Sequence, residues 1–428
     1  MKATTIAYRL LTLLLTAVLA LGLLPVPTAE AKTVAEWLEG YKTGKDWFGD
    51  GYKYDITDEA WCWEQLMKPM TVLDVAENET VTLLKEPGGK PVNADKLGGT
   101  IAGQTSAIHV LGEDENGWTL VEGIDDYNRI MQGYVKTKLI KTVTPNQKFG
   151  IIIDKLTQRL YIFIDGKLFS SVLVSTGLPN EDQPYNETSA GEYMLISWTG
   201  GFDAEGMYCD MAIRFNNGDL IHEVPHNILA DGTKRYTKWE SQLGQKASHG
   251  CIRVQRLPNA DGVNQKWLWD NMKRFTKVII WDDGGRLQPY PDDSLQLYYN
   301  PNGGKYYHST PECPTVKKKF YPLTAFNYSE LDTGDFAKLE PCPGCTPVKR
   351  KSVIDAENIA RGAVTQAELD AQNAQSTDAP TATPTPDAGA ESSLAAMDDT
   401  GATTTPITDA SDHGDVEVTI FRNSDTAK

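Results

Sequence analysis

A chain of 428 residues, 40% hydrophobic and 23% charged, is too long for a single ordinary core and has the composition of a multidomain globular protein. Its formal net charge of −17 is concentrated at one end: from Ser352 to Lys428 there are 14 acidic and 3 basic residues, a net −11 that leaves only −6 for the rest. With no basic patch, a nucleic-acid partner is excluded, and the mild field of the remainder names no substrate.

The chain opens with Lys2 and Arg9, an apolar run from Leu10 to Leu24, and the small-x-small pattern Ala29-Glu30-Ala31. That 15-residue run falls short of the roughly 20 that span a bilayer, so residues 1–31 read as a cleaved secretory signal rather than an anchor. The mature chain is expected to begin at Lys32, to be secreted, and to hold no transmembrane segment. Residues 32–68 are rich in Trp and Tyr (Trp37, Trp47, Trp61, Trp63) and predict helix only in patches. Between 69 and 145, short β-type runs such as Val81-Thr82-Leu83-Leu84, Trp118-Thr119-Leu120-Val121 and Gly133-Tyr134-Val135 alternate with Gly, Asn and Asp turns. This stretch resembles the bacterial SH3-like barrels that accompany cell-wall enzymes, which serve either as spacers or as wall-binding modules.

From 146 to 283 a second β-rich unit is predicted. Gly150-Ile151-Ile152-Ile153-Asp154 and Arg159-Leu160-Tyr161-Ile162-Phe163-Ile164 flank a turn, and the hairpin dipeptide Asp165-Gly166 leads into a third run ending at Ser175. A helical stretch around 264–274 and a last strand, Lys277-Val278-Ile279-Ile280-Trp281, close the unit. Within it stands Ser248-His249-Gly250-Cys251-Ile252-Arg253, with His222 and His226 upstream. Only the thiolate of cysteine is reactive, and a thiol with pKa near ~8.5 needs a histidine base or a positive neighbourhood to act at neutral pH. Glycine beside it lets backbone amides turn toward a substrate carbonyl, as an oxyanion hole requires. The pattern points to acyl transfer.

These residues, with Val174-Ser175-Thr176-Gly177, Thr188-Ser189-Ala190-Gly191-Glu192-Tyr193 and Ile221-His222, resemble the L,D-transpeptidase, or YkuD, catalytic domain. The resemblance implies a β-sandwich that cross-links peptidoglycan stem peptides through a cysteine thioester, at the cell wall and without a catalytic cofactor, and that is inhibited by carbapenem-type compounds. It makes Cys251 the nucleophile, His222 the general base and His249 a residue that shapes the site. The chemistry independently assigns the oxyanion to the amides around Gly250 and Cys251, while Arg253, which fills the family's arginine position, and Ser248 are read as substrate contacts. Hydrolysis of the same thioester, an L,D-carboxypeptidase activity, is the alternative, and a wall-binding protein with an inactive fold is another. The 29 positions from His222 to Cys251 predict an inserted loop over the cleft between Pro225 and Ala247, and the family's polar residue after the arginine is not evident at Arg256, although Asn259 lies nearby. His226 competes with His222 as base but is expected to pack or hydrogen bond locally. His222-Glu223-Val224-Pro225-His226 also satisfies the zinc-protease string, yet Pro225 is incompatible with the single helix that string requires.

A small unit is expected at 297–347, where His308, Cys313, Cys342 and Cys345 offer a tetrahedral zinc set. The segment resembles small Ada-type metal-binding modules. A disulfide suits an oxidising compartment equally, and the odd number of cysteines remaining beside Cys251 favours zinc. The Ala-, Thr-, Pro- and Asp-rich stretch from 352 to 428 is expected to be disordered. The predicted fold is therefore mainly β: an SH3-like barrel, a β-sandwich catalytic domain, a Cys/His module and a tail.

Overall fold

The computed structural model describes residues 47–49, 51–93, 98–113, 116–180, 183–204, 206–313, 315–342 and 344–377. The expected signal segment 1–31 and residues 378–428 lie outside them. The chain divides into two units, 1–40 with 180–184, and 41–179 with 185–428. Of the first, the described part is a turn in which the Gln183 amide donates to Asn180 Oδ1 at 2.9 Å. Everything below concerns the second.

Helix α1 (Glu59–Met67) starts where Asp58 Oδ1 accepts the Trp61 amide at 3.1 Å, satisfying one of the donors that a helix start leaves unpaired. Its apolar side, Cys62 and Leu66, packs on Ile152, Phe163, Ile279 and Trp281. The approach is close: a Cβ on Gly150 would stand 2.6 Å from Leu66 Cδ1. Buried Lys277 donates to the carbonyls of Gln65 (3.0 Å) and Lys68 (3.1 Å) at the other end of the helix, where a cation suits the helix dipole. The described part of the Trp/Tyr-rich segment, for which the sequence suggested no role, thus covers one face of the nine-stranded sheet described below.

Seven strands follow: β1 (Met70–Leu73), β2 (Thr80–Thr82), β3 (Thr100–Ala102), β4 (Ile108–Glu113), β5 (Trp118–Ile124), β6 (Ile130–Lys136) and β7 (Ile140–Val143). β1 pairs with β7, β2 with β3, and β4, β5 and β6 form a meander, all antiparallel. Leu73, Leu83, Ile101, Ile108, Val121 and Val135 form their shared core.

The central sheet contains β8 (Phe149–Asp154), β9 (Arg159–Ile164), β10 (Lys167–Ser175), β11 (Gly191–Met194), β12 (Ser197–Ala204), β13 (Met207–Arg214) and β14 (Leu220–Glu223). After a two-stranded hairpin, β15 (Asn227–Ile228) and β16 (Lys234–Arg235), and a short helix α2 (Thr237–Glu240), come β17 (Ile252–Val254), helix α3 (Gln265–Asn271) and β18 (Lys277–Trp281). Strand order is β11-β18-β8-β9-β10-β17-β14-β13-β12. The long strand β10 pairs with β9 along 167–173 and with β17 at 174–175, so one sheet passes through it into a second layer. Ile151, Ile153, Leu160, Ile162, Val172 and Val174 from the first layer share a core with Ile213, Phe215, Ile221, Ile252 and Val254 from the second, which makes the unit a β-sandwich. The expected loop over 225–247 is the β15/β16 hairpin plus α2, held by Val224, Trp239 and Leu243.

Four strands, β19 (Gln296–Tyr299), β20 (Tyr306–His308), β21 (Thr324–Asn327) and β22 (Glu340–Pro341), build the C-terminal module in the order β21-β19-β20-β22. The expectation of disorder from 352 is corrected for residues 352–377. Helix α4 (Lys351–Ala360) and helix α5 (Gln366–Thr377) occupy that stretch. Ile354, Val364 and Leu369 are buried, and buried Asn358 exchanges hydrogen bonds with the Gln288 backbone at 2.9 and 3.0 Å. These apolar residues precede the Thr/Pro-rich composition, which begins only farther on. No helix among the described residues is long and apolar enough to cross a membrane.

Candidate active site

β14 and β17 pair in parallel, with His222 opposite Arg253 and Ile221 opposite Ile252. Side chains alternate along strands, and paired residues project to the same face. His222 and Arg253 therefore share a face with Leu220 and, at the entry to β17, Cys251. Leu220, Cys251 and Ala212 pack together with Phe202 against them, and the Phe202 ring meets the His222 imidazole edge-on at 5.4 Å. Cys251 is 7% exposed and a free thiol.

His222 Nδ1 lies 2.7 Å from the Glu223 carbonyl oxygen. A carbonyl can only accept, so the proton is on Nδ1 and Nε2 is the basic nitrogen, the arrangement a general base needs. His226 is different. It is fully buried between the rings of Tyr208 and Tyr236, at 5.5 and 5.0 Å, with neither ring nitrogen hydrogen bonded among the described residues. Burial holds its pKa below the ordinary histidine value, an effect only partly offset by Asp210. It packs, as expected. Glu223 accepts from the Tyr236 hydroxyl at 3.2 Å and belongs to a strand, so the zinc-protease string has no helix to act on.

The nucleophile turn is clamped from behind. Gly250 has φ +114, a conformation that favours glycine, and a Cβ there would approach Asp219 Oδ1 to 2.5 Å, so that carboxylate would have to shift. The Gly250 carbonyl accepts from Thr188 Oγ1 at 2.6 Å, while that same oxygen accepts the Gly177 amide at 2.8 Å. One hydroxyl thereby ties the end of β10 to the turn before β17. Beneath it, buried Lys155 Nζ donates to the Thr188 carbonyl (3.1 Å) and pairs with Glu187 (2.6 Å) and Asp282 (2.7 Å). Lys246 reaches Asp283 at 2.8 Å. Burial alone would raise the Asp283 pKa, but Lys155 and Lys246 outweigh it and hold the carboxyl below its usual range.

His249 and Arg253 line a cleft of 310 Å³ together with Met207, Trp239, Gln242 and Ala247. Arg253 Nη1 donates to Gln242 Oε1 at 2.8 Å, so the inserted segment orients the arginine. Two of the expected site groups have partners within the turn. Ser248, read as a substrate contact, is buried; its amide donates to the Thr176 carbonyl at 3.0 Å and its hydroxyl donates to the Cys251 carbonyl, so it shapes the turn instead. The Gly250 amide, read as an oxyanion donor, points at Ser248 Oγ over a long 3.3 Å. Asn259 lies away from the cleft, donating to Ser170 Oγ and the Ser171 carbonyl in β10. The sequence reading missed Asp219, Gln242 and Lys155, and it quoted Thr188 without a role; a buried lysine near a nucleophile turn leaves no local sequence signal.

Thr188→Val keeps the shape but leaves the Gly177 amide and Gly250 carbonyl unpaired, at about 1–3 kcal/mol for each buried group. The expected outcome is a lower denaturation midpoint together with slower acylation of Cys251, both largely recovered in Thr188→Ser. Wild-type behaviour of the valine variant in urea titration and acylation kinetics would remove the clamp from the account.

Part of the chain is similar to known proteins. Residues 148–280 match the family model of the L,D-transpeptidase catalytic domain, YkuD. The chain is 28% identical over 137 residues to YciB of Bacillus subtilis (strain 168), whose name gives it provisionally as an L,D-transpeptidase; the match spans 30% of this chain and 64% of that protein. Among solved structures, the catalytic domain of the E. faecium L,D-transpeptidase is 18% identical, covering 32% of this chain and 98% of that one, with a TM-score of 0.23. L,D-transpeptidase 3 of Mycobacterium tuberculosis, solved with a faropenem-derived adduct, is 16% identical, covering 42% and 79%, with a TM-score of 0.24.

Proposed function

We propose that this chain is a secreted L,D-transpeptidase that cross-links peptidoglycan stem peptides through a thioester on Cys251. The observation that carries the reading is the parallel β14/β17 pairing, which sets His222, with its Nδ1 proton committed to Glu223, on the face of the Cys251 turn. The family match over 148–280 supports the substrate class. His222 Nε2 takes the thiol proton as Cys251 Sγ attacks the carbonyl joining the third, diamino residue of a tetrapeptide to its terminal D-alanine. The C–S bond forms, the C–N bond breaks, and the imidazolium returns the proton to the departing amine. An amine of a neighbouring stem peptide then attacks the thioester, C–N forms and C–S breaks, and its proton returns to the thiolate through His222. During both steps the Gly250 amide exchanges its long contact with Ser248 for the developing oxyanion; one such donor contributes about 2.7–4 kcal/mol in other enzymes. His249, Arg253 and Gln242 bound the substrate side. Export rests on the Lys2–Ala31 pattern, and the 69–145 module reads as an SH3-like spacer or wall contact.

Mass analysis of muropeptides incubated with the enzyme tests this directly. A cross-linked dimer is expected; a trimmed tripeptide without dimer would establish the carboxypeptidase alternative, and unchanged substrate would leave an inactive wall-binding fold.

A further inference from the structure

We infer that the C-terminal module is built on one structural zinc ion held by His308, Cys313, Cys342 and Cys345. Among the described residues, the donor atoms of these four all lie within 4.8 Å of one another, and three of the four residues are buried. The separations discriminate between chemistries. With zinc–sulfur bonds of about 2.3 Å and zinc–nitrogen bonds of about 2.0–2.1 Å, a tetrahedron places two sulfurs about 3.8 Å apart and a sulfur about 3.6 Å from a ring nitrogen. Cys313 Sγ and Cys342 Sγ are 3.8 Å apart, and Cys345 Sγ is 3.6 Å from His308 Nδ1. A disulfide requires sulfurs about 2.05 Å apart and would engage only two of the three cysteines.

The backbone is arranged for these donors. β20 and β22 pair in parallel, Tyr306 with Glu340 and Tyr307 with Pro341, so His308 and Cys342 stand at neighbouring strand ends. Beside Cys345, the Gly344 backbone passes so close to Thr315 that a Cβ there would lie 2.0 Å from Thr315 Cγ2. The Gly344 amide donates to Cys342 Sγ and the Ser309 amide to Cys345 Sγ, both at 3.4 Å, and Thr315 Oγ1 lies 3.3 Å from Cys342 Sγ. Amide donors to thiolate sulfur are the supporting contacts that orient and stabilise metal ligands. Three thiolates and one imidazole select zinc among the divalent metals, and four protein donors leave no open position for a substrate. The ion is therefore structural. It supplements the small core of Leu297, Tyr307, Phe326, Tyr328 and Leu331, in a module near the size at which apolar burial alone is insufficient.

The test is metal analysis of the full chain purified with a reductant. One zinc per chain is expected, and exchange for cobalt(II) should give the intense visible bands of tetrahedral thiolate coordination. The double variant His308→Ala/Cys345→Ser should lose the metal, whereas Cys62→Ser/Cys209→Ser should keep it; if the first does not fold, the wild-type stoichiometry and cobalt spectrum decide. A chain without metal after zinc reconstitution, a Cys313–Cys342 disulfide in peptide mapping, or zinc retained by the double variant would each overturn the assignment.

Discussion

Cys251→Ala is expected to reduce turnover to background and to abolish the covalent adduct with a carbapenem or penem probe. Removing a nucleophile typically lowers the rate by about five to six orders of magnitude, because the remaining groups position a substrate with nothing to attack it. The other cysteines of the sandwich and its covering helix cannot substitute. Burial pushes the Cys62 thiol up to about 12, and burial, with the nearby Cys251, raises Cys209 further still. Both are then thiols rather than thiolates at neutral pH, and the thiol form is unreactive. Intact-protein mass spectrometry should show one adduct on wild type, on Cys62→Ala and on Cys209→Ala. An adduct on Cys251→Ala at a comparable rate would sink the mechanism.

Strands were the most legible part of the sequence. Lys277–Trp281 and the three runs from Gly150 to Ser175 lie where the apolar runs and the Asp165-Gly166 turn predicted them, because a buried strand is written locally in its own side chains. The nucleophile was legible for the same reason: His249, Gly250 and Cys251 are adjacent in the chain. What brings His222 to them is a parallel pairing between strands, with Cys251 29 positions beyond His222, and parallel neighbours carry no turn signal between them. The clamp through Thr188 was hidden for a related reason, since its two partners, Gly177 and Gly250, lie 11 and 62 residues away. Composition misled at 352–377, where Thr- and Pro-rich sequence farther on coloured a segment whose own Ile354, Val364 and Leu369 are sufficient to pack. Ser248 shows the opposite failure. A hydroxyl beside a catalytic motif suggests a substrate contact, yet a tight turn consumes it to satisfy its own backbone.

His222→Ala is expected to slow acylation of Cys251 by about 10²- to 10⁴-fold, the usual contribution of a positioned general base, while His226→Ala should leave the rate within a few-fold of wild type. The two histidines are four residues apart and chemically identical, so their difference lies wholly in their surroundings. His222 stands on the face of the nucleophile turn with its tautomer set by the Glu223 carbonyl. His226 is enclosed by Tyr208 and Tyr236, and burial disfavours its charged form, so taking up a proton there would cost more than in water. Its loss should appear instead as reduced stability, because alanine leaves a cavity between two rings. Stopped-flow acylation and urea denaturation on both variants separate the roles. Equal rate losses would mean that the inserted segment, not the imidazole of His222 alone, sets the reactivity of Cys251. An unchanged rate for His222→Ala would transfer the proton-accepting role to another group on that face, with His249, which lines the adjoining cleft, the next to replace.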